Sequence, residues 1–180
     1  MTSLWWSPNA CSVITDLVQI HLLGEKKRDE NLRFRRFMKS HDHSDRILRR
    51  IAQGIHEQID CTQCGNCCKV ATAVVTGRDI DRLARHLRIP PARFIAEYTM
   101  EGDDEGRILR RTEETGCVFL DGTICTVYDA RPDSCQRFPH LVRGSGSIAS
   151  RMWQFVDRAS YCPIVYNSME AFKTELGFRY

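Results

Sequence analysis

Four of the nine cysteines in this chain stand within eight residues, as Cys61-Thr-Gln-Cys64-Gly-Asn-Cys67-Cys68. Thiolates separated by two-residue gaps can wrap one ion, and Gly65 removes the side-chain barrier to the tight turn that would aim them at it. A lone pair at this gap could instead be a redox dithiol. Cys117, Cys125, Cys135 and Cys162 bring the sulfurs to eight, enough for two tetrahedral sites, and make metal ligation the stronger expectation. Cys11 stands apart and reads as a small buried hydrophobe. The neighbours Cys67 and Cys68 cannot easily face one point, because successive side chains diverge by about 100° in a helix and point oppositely in extended chain. They are expected to serve different metals, or one is a bystander.

The remaining composition bounds where such chemistry can operate. With 180 residues, 42% hydrophobic and 27% charged, the chain has the profile of a water-soluble globular domain that can bury a core without crosslinks. The cysteines therefore need another explanation. Met1 to Ala10 lacks the basic start and apolar run of a secretory signal, and the longest apolar stretch, Cys11 to Leu23, is interrupted by Asp16, Gln19 and His21. No membrane span and a cytoplasmic, reducing location are expected, where an odd number of thiols outlasts any closed set of disulfides.

Positive charge is concentrated in residues 26–50, which hold ten Lys/Arg against four Asp/Glu, while the rest of the chain sums to minus three. That surplus could address nucleic acid or an acidic partner, but Phe34 and Phe37 are the only aromatics there for base stacking. Phe34, Phe37 and Met38 also fall at helical spacing, so the plainer account is an amphipathic helix with an arginine-rich outer face. Eight thiolates holding two divalent ions would take the formal net charge from +3 to −1, which further weakens a nucleic-acid reading.

The elements that must position the sulfurs follow from periodicity. A first helix is expected over about residues 10–23, stopped by Gly24, and a second from Ser44 or Asp45 toward Asp60, with Ile47, Leu48, Ile51, Ile55 and Ile59 on one face. Ala71 to Val75 reads as extended. Thr76 and Asp79 form a capping pattern ahead of Ile80, Leu83, Ala84 and Leu87, and Pro90-Pro91 ends that helix and starts another carrying Phe94, Ile95 and Tyr98. Met100 to Gly106 reads as an acidic loop and Arg107 to Thr112 as a strand. Cys117 to Cys125 has hairpin chemistry about Asp121-Gly122, with both cysteines on its arms. Residues 143–150 read as a flexible loop without a phosphate-binding fingerprint, and a last helix is expected from Asn167 or Ser168 to Gly177.

Cys61-x-x-Cys64-Gly-x-Cys67-Cys68, Thr76-Gly-x-Asp79-Ile80, Cys117-x-Phe-Leu, Cys125-x-Val-Tyr128, Arg131-Pro132-x-x-Cys135-x-Arg-Phe138-Pro139 and a distal Cys162 together resemble the YkgJ-type cysteine-cluster family of zinc- or iron-chelating domains. The resemblance covers about residues 58–163. It divides the chain into a helical N-terminal extension with the basic segment (1–57), a cysteine-cluster domain (58–163) and a C-terminal helix packed on it (164–180). Members of that family carry labels from metal chelator to iron–sulfur oxidoreductase, and a related cluster occurs in flagellin lysine methylases. Gln136 departs from the arginine that often follows the cysteine in Arg-Pro-x-x-Cys.

The expected fold is therefore α+β, a small and mostly helical domain with a short β-hairpin, stapled by a cysteine-ligated metal centre. Its expected ligands are Cys61, Cys64, Cys67, Cys68, Cys117, Cys125, Cys135 and Cys162, holding zinc or iron. A [4Fe-4S] cluster, and with it an oxidoreductase or electron carrier, is the alternative, since Cys61, Cys64 and Cys67 with the remote Cys162-Pro163 resemble ferredoxin spacing. A metal ion is the expected partner, with docking of a protein a further use of such sites. Tyr128 reads as packing with its hydroxyl outward, and His140 and His41-Asp42-His43 as loop or surface groups outside the ligand set. No Ser-His-Asp, paired-carboxylate or His-Glu-x-x-His arrangement is readable, so no enzyme class follows.

Overall fold

The structure, a computed structural model, describes residues 13–103 and 106–180. Cys11 and the start of the expected first helix lie outside the described residues. Asp16 caps helix α1 (Leu17–Lys26), its carboxylate accepting from the Gln19 N–H at 2.7 Å. Gly24 does not stop this helix. It sits inside it, buried, where an added Cβ would stand 2.4 Å from Ser160 Cα, so its role is close approach of two backbones.

The basic segment forms α2 (Arg28–Ser40) and α3 (Asp45–His56). Both are amphipathic as expected: Phe34 and Met38 are buried on one, Leu48, Ile51 and Ile55 on the other. Two short turns follow, α4 (Cys61–Cys64) and α5 (Asn66–Val70). Residues 71–75 are extended and touch the sheet through a single Val74–Ile108 bridge. The Thr76–Asp79 capping box opens α6 (Gly77–Leu87), and Pro91 opens α7 (Pro91–Tyr98), both as the local signals dictate.

Three small antiparallel hairpins come next. Strand β1 (Thr99–Gly102) pairs with β2 (Gly106–Leu109), so part of the expected acidic loop is strand. Strand β3 (Arg111–Thr112) pairs with β4 (Gly116–Cys117), and β5 (Leu120–Asp121) with β6 (Ile124–Cys125). Because Asp121 pairs with Ile124, the two-residue loop is Gly122-Thr123, one position later than expected. Cys125 lies on that hairpin, whereas Cys117 belongs to the preceding one.

A 3₁₀ turn (Tyr128–Ala130) and α8 (Asp133–Gln136) lead to a loop and then to α9 (Ile148–Arg158), which starts at a Ser147 cap. The final helix α10 (Pro163–Glu175) begins at Cys162-Pro163, earlier than its periodicity alone indicates, because proline presets its first turn. The mixture of helices and hairpins is the α+β class expected. Among the described residues no helix is long and apolar enough to cross a membrane.

The buried side chains form two clusters. One joins α2, α3, α9 and α10 through Phe34, Leu48, Ile51, Met152, Phe155, Met169 and Phe172, with Cys162 buried in it and Cys61 packed against it. The other joins α6, α7 and the hairpins through Leu83, Phe94, Leu109, Phe119 and Val127, with Cys117 and Cys125 packed against it. Cysteines therefore contact both cores.

Candidate metal centre

The cysteine-rich segment is shaped by hydrogen bonds local to it. Asp60 caps α4 by accepting from the Thr62 N–H (2.9 Å) and hydroxyl (2.6 Å), which fixes Cys61 at the first position of the turn. Gly65 ends the turn in the left-handed region (φ 58°), its N–H donating to the Cys61 carbonyl, and a Cβ there would stand 2.8 Å from Thr123. The chain thus reverses against the tip of the β5–β6 hairpin. Asn66 then donates to the Tyr161 carbonyl at 2.8 Å, tying α5 to the residue before Cys162.

The other four sulfurs arrive from separate elements. Main-chain N–H groups two or three residues further along the chain point at three of them: Phe119 toward Cys117, Val127 toward Cys125, and Val165 and Ile164 toward Cys162. Such donors favour the thiolate form that a metal requires. Cys135 rides on α8, which is pinned from both sides. The Asp133 N–H donates to Asp79 at 3.0 Å, and the Ser134 hydroxyl donates to the Val74 carbonyl at 2.8 Å.

Two adjoining cavities sort these sulfurs. The larger, about 620 Å³, is walled by Cys61, Cys67, Cys68, Cys117, Cys125 and Cys135. The smaller, about 20 Å³, is walled by Cys61, Cys64, Cys67 and Cys162 together with Phe138 and Tyr161. Electrostatic proximity groups most of them similarly, although Cys61 feels both Cys64 and Cys68. Cys162 feels Cys61 and Cys64, whereas Cys117, Cys125 and Cys135 each feel Cys68. Cys67 stands between the sets, close to Cys68, Cys162 and Cys135. The thiols line the walls without closing on a point: among the described residues no three His, Cys, Asp or Glu side chains gather closely enough to hold one ion. In donor chemistry the set suits a soft or borderline metal such as zinc or iron.

The adjacent cysteines do not diverge fully, since their sulfurs hydrogen-bond. That contact raises Cys67 and lowers Cys68; burial adds to the rise at Cys67, and the Arg131 charge adds to the fall at Cys68. Burial pushes Cys117 up to about 11 and Cys135 and Cys162 up to about 12, and it also raises Cys61 and Cys125.

The charge of Arg131, in the Arg-Pro-x-x-Cys segment, favours the thiolates of Cys61, Cys68 and Cys125. Its guanidinium carbon lies 3.4 Å from the Tyr128 ring centroid and its Nε donates to the Tyr128 carbonyl at 2.8 Å, so Tyr128 is a stacking platform for it. Gln136 is accommodated by donating to the Arg131 carbonyl at 2.7 Å, while Arg137 pairs with Asp133.

His140 lines the larger cavity in the left-handed region (φ 70°), and burial with Arg158, Arg151 and Arg137 nearby lowers it to about 4. His41 and His43 stack beside Phe37 and line neither cavity. The motif pattern missed His56, Arg143, Trp153, Arg158 and Tyr161, which complete the larger cavity from α3, α9 and the loops flanking α9. No sequence spacing links them. Residues 60–163 match the CxxCxxCC family model, described as "Putative zinc- or iron-chelating domain". No curated protein and no solved structure matches the chain.

Proposed function

Since this chain belongs to the CxxCxxCC family of zinc- or iron-chelating domains, we propose that it binds two metal ions through thiolates. One site comprises Cys61, Cys64, Cys67 and Cys162, the other Cys68, Cys117, Cys125 and Cys135. The observation that carries this reading is the spread of eight sulfurs over two adjoining cavities, with Cys64 and Cys162 lining the smaller alone, Cys68, Cys117, Cys125 and Cys135 the larger alone, and Cys61 and Cys67 both; main-chain N–H groups aimed at Cys117, Cys125 and Cys162 support it. Each set would close on its ion by movement of its side chains as metal binds. Bound metal would link the two cores, because Cys61 and Cys162 contact one and Cys117 and Cys125 the other. The smaller site has room for little beyond the ion and is structural in character, while the larger adjoins a roomy cavity from which metal or a ligand can exchange.

Anaerobic purification with elemental analysis tests this reading. Two equivalents of zinc or iron are expected, with Cys64→Ser and Cys135→Ser each losing one. A chain free of both metals refutes metal binding, and a Cys64→Ser/Cys135→Ser double variant that still keeps one equivalent refutes the division. The second reading is an iron–sulfur cluster at Cys61, Cys64, Cys67 and Cys162, favoured by their shared cavity and by Pro163 following Cys162. The 20 Å³ void, about the space of one water, favours a single ion there. Visible absorbance bleached by dithionite would instead establish the cluster.

A further inference from the structure

The larger cavity continues past the sulfurs into an arm bounded by His56, His140, Arg143, Trp153, Arg158 and Tyr161. Its charge is one-sided. Arg131, Arg143 and Arg158 face the cavity, and Asp157, the sole carboxylate on its wall among the described residues, is committed to Arg28 at 2.8 Å. Arg143 has no hydrogen bond or ion pair among the described residues. Arg158 gives one N–H to the Pro139 carbonyl at 3.1 Å, contacts Tyr161 and lies over the Phe138 ring, but has no carboxylate partner among the described residues.

The loop on one side of the arm is also tied to its neighbours by side-chain hydrogen bonds. Arg49 donates to the carbonyls of Leu141, Val142 and Gly144 at 3.1–3.3 Å and to that of Gly146 at 2.6 Å, and Arg151 binds the His140 carbonyl. These bonds hold the loop that carries His140 and Arg143. Burial first, and the neighbouring arginines second, lower both His56 and His140 below the ordinary histidine range.

We propose that this arm binds a small anion bearing carboxylate or phosphate groups, anchored by Arg143 and Arg158, with the exposed Trp153 at the rim. Uncompensated guanidinium groups on a preorganised, partly enclosed wall recognise such groups through charge-assisted hydrogen bonds. The carboxylate and phosphate sources share that chemistry. The site does not require metal, since none of its anchors is a thiol.

Isothermal titration of the full chain with succinate, and separately with phenyl phosphate, tests the proposal and tells the sources apart; both probes chelate weakly. Saturable one-to-one binding is expected with at least one, weakened about tenfold by Arg143→Gln. Arg143 is exposed and makes no hydrogen bond or ion pair among the described residues, so the variant keeps the fold. Arg78→Gln, an exposed arginine outside the cavity, should bind as the unaltered chain does. No saturable heat with either probe, undiminished binding by Arg143→Gln, or equal weakening by Arg78→Gln overturns the inference. Metal content measured on the same samples separates this outcome from failure of the metal-binding reading.

Discussion

Replacing Gly65 with alanine tests whether the cysteine loop is held by close contact with the β5–β6 hairpin. Two penalties combine at that position. At φ 58° an L side chain sits in the left-handed region, which costs about 1–2 kcal/mol. The new Cβ would also stand 2.8 Å from the Thr123 Cα and carbonyl oxygen, backbone atoms that cannot rotate away, and overpacking of this kind costs about 1–3 kcal/mol. Gly122 isolates the first penalty, because its φ is 62° and an added Cβ meets nothing within 4 Å. Urea titration followed by helical circular dichroism should therefore show a loss of about 1 kcal/mol for Gly122→Ala and about 3 kcal/mol for Gly65→Ala. The gap should widen in zinc-loaded protein, since moving the loop off the hairpin separates Cys61 to Cys68 from Cys125. Equal losses in the two variants would refute the idea that this contact positions the sulfurs.

Three further outcomes follow. Asp79 is 2% exposed and accepts from Thr76, Arg82 and the Asp133 N–H, so Asp79→Ala should cost about 2–4 kcal/mol and loosen Cys135. Burial raises its carboxyl, but the bonds from Thr76, Asp133 and Arg82 outweigh that and lower it. Its contribution is then full above the ordinary carboxylate range and fades as pH falls through the lowered value, so unfolding curves of the two proteins should converge in acid. Arg49→Ala removes four bonds to the 141–146 loop, and faster hydrogen exchange and proteolysis there are expected, with α3 itself unaffected. Finally, Cys117, Cys135 and Cys162 are raised to about 11–12, so the metal-free thiols hold their protons at neutral pH. Zinc uptake should release protons in a weakly buffered solution, and apparent affinity should fall as pH drops, by about tenfold per unit for each proton displaced. A pH-independent affinity would show that these thiols are not ligands.

What was legible in the sequence is what hydrogen bonds or packs locally. The Thr76–Asp79 box, Pro91 at a helix start and the Phe34–Met38 stripe each act over three or four residues, and each appears as read. The hairpin register was missed because Asp121-Gly122 offers turn chemistry at either of two positions, and pairing of Asp121 with Ile124 decides between them. Helix α9 was overlooked behind its glycine–serine loop, although Ile148, Met152, Phe155 and Val156 are helically spaced and Ser147 caps them. The cationic arm was illegible for a different reason. His56, His140, Arg143 and Arg158 meet only once α3 packs near α9, and no local pattern encodes that packing.

The adjacent cysteines show how local and long-range order meet at the proposed centre. On α5 successive side chains differ by about 100°, enough for Cys67 to border both cavities while Cys68 borders the larger one alone. Their sulfurs remain in contact, so deprotonating one changes the other. On the proposed reading, loading either site biases its neighbour through this pair: an ion on Cys68 removes the acceptor of the Cys67 proton and eases that proton's departure. The same short turn lies between the cluster contacted by Cys61 and Cys162 and the one contacted by Cys117 and Cys125. Coupling between the sites and coupling between the cores would therefore pass through the same residues, Cys67 and Cys68, and a spacer inserted between them would uncouple both at once.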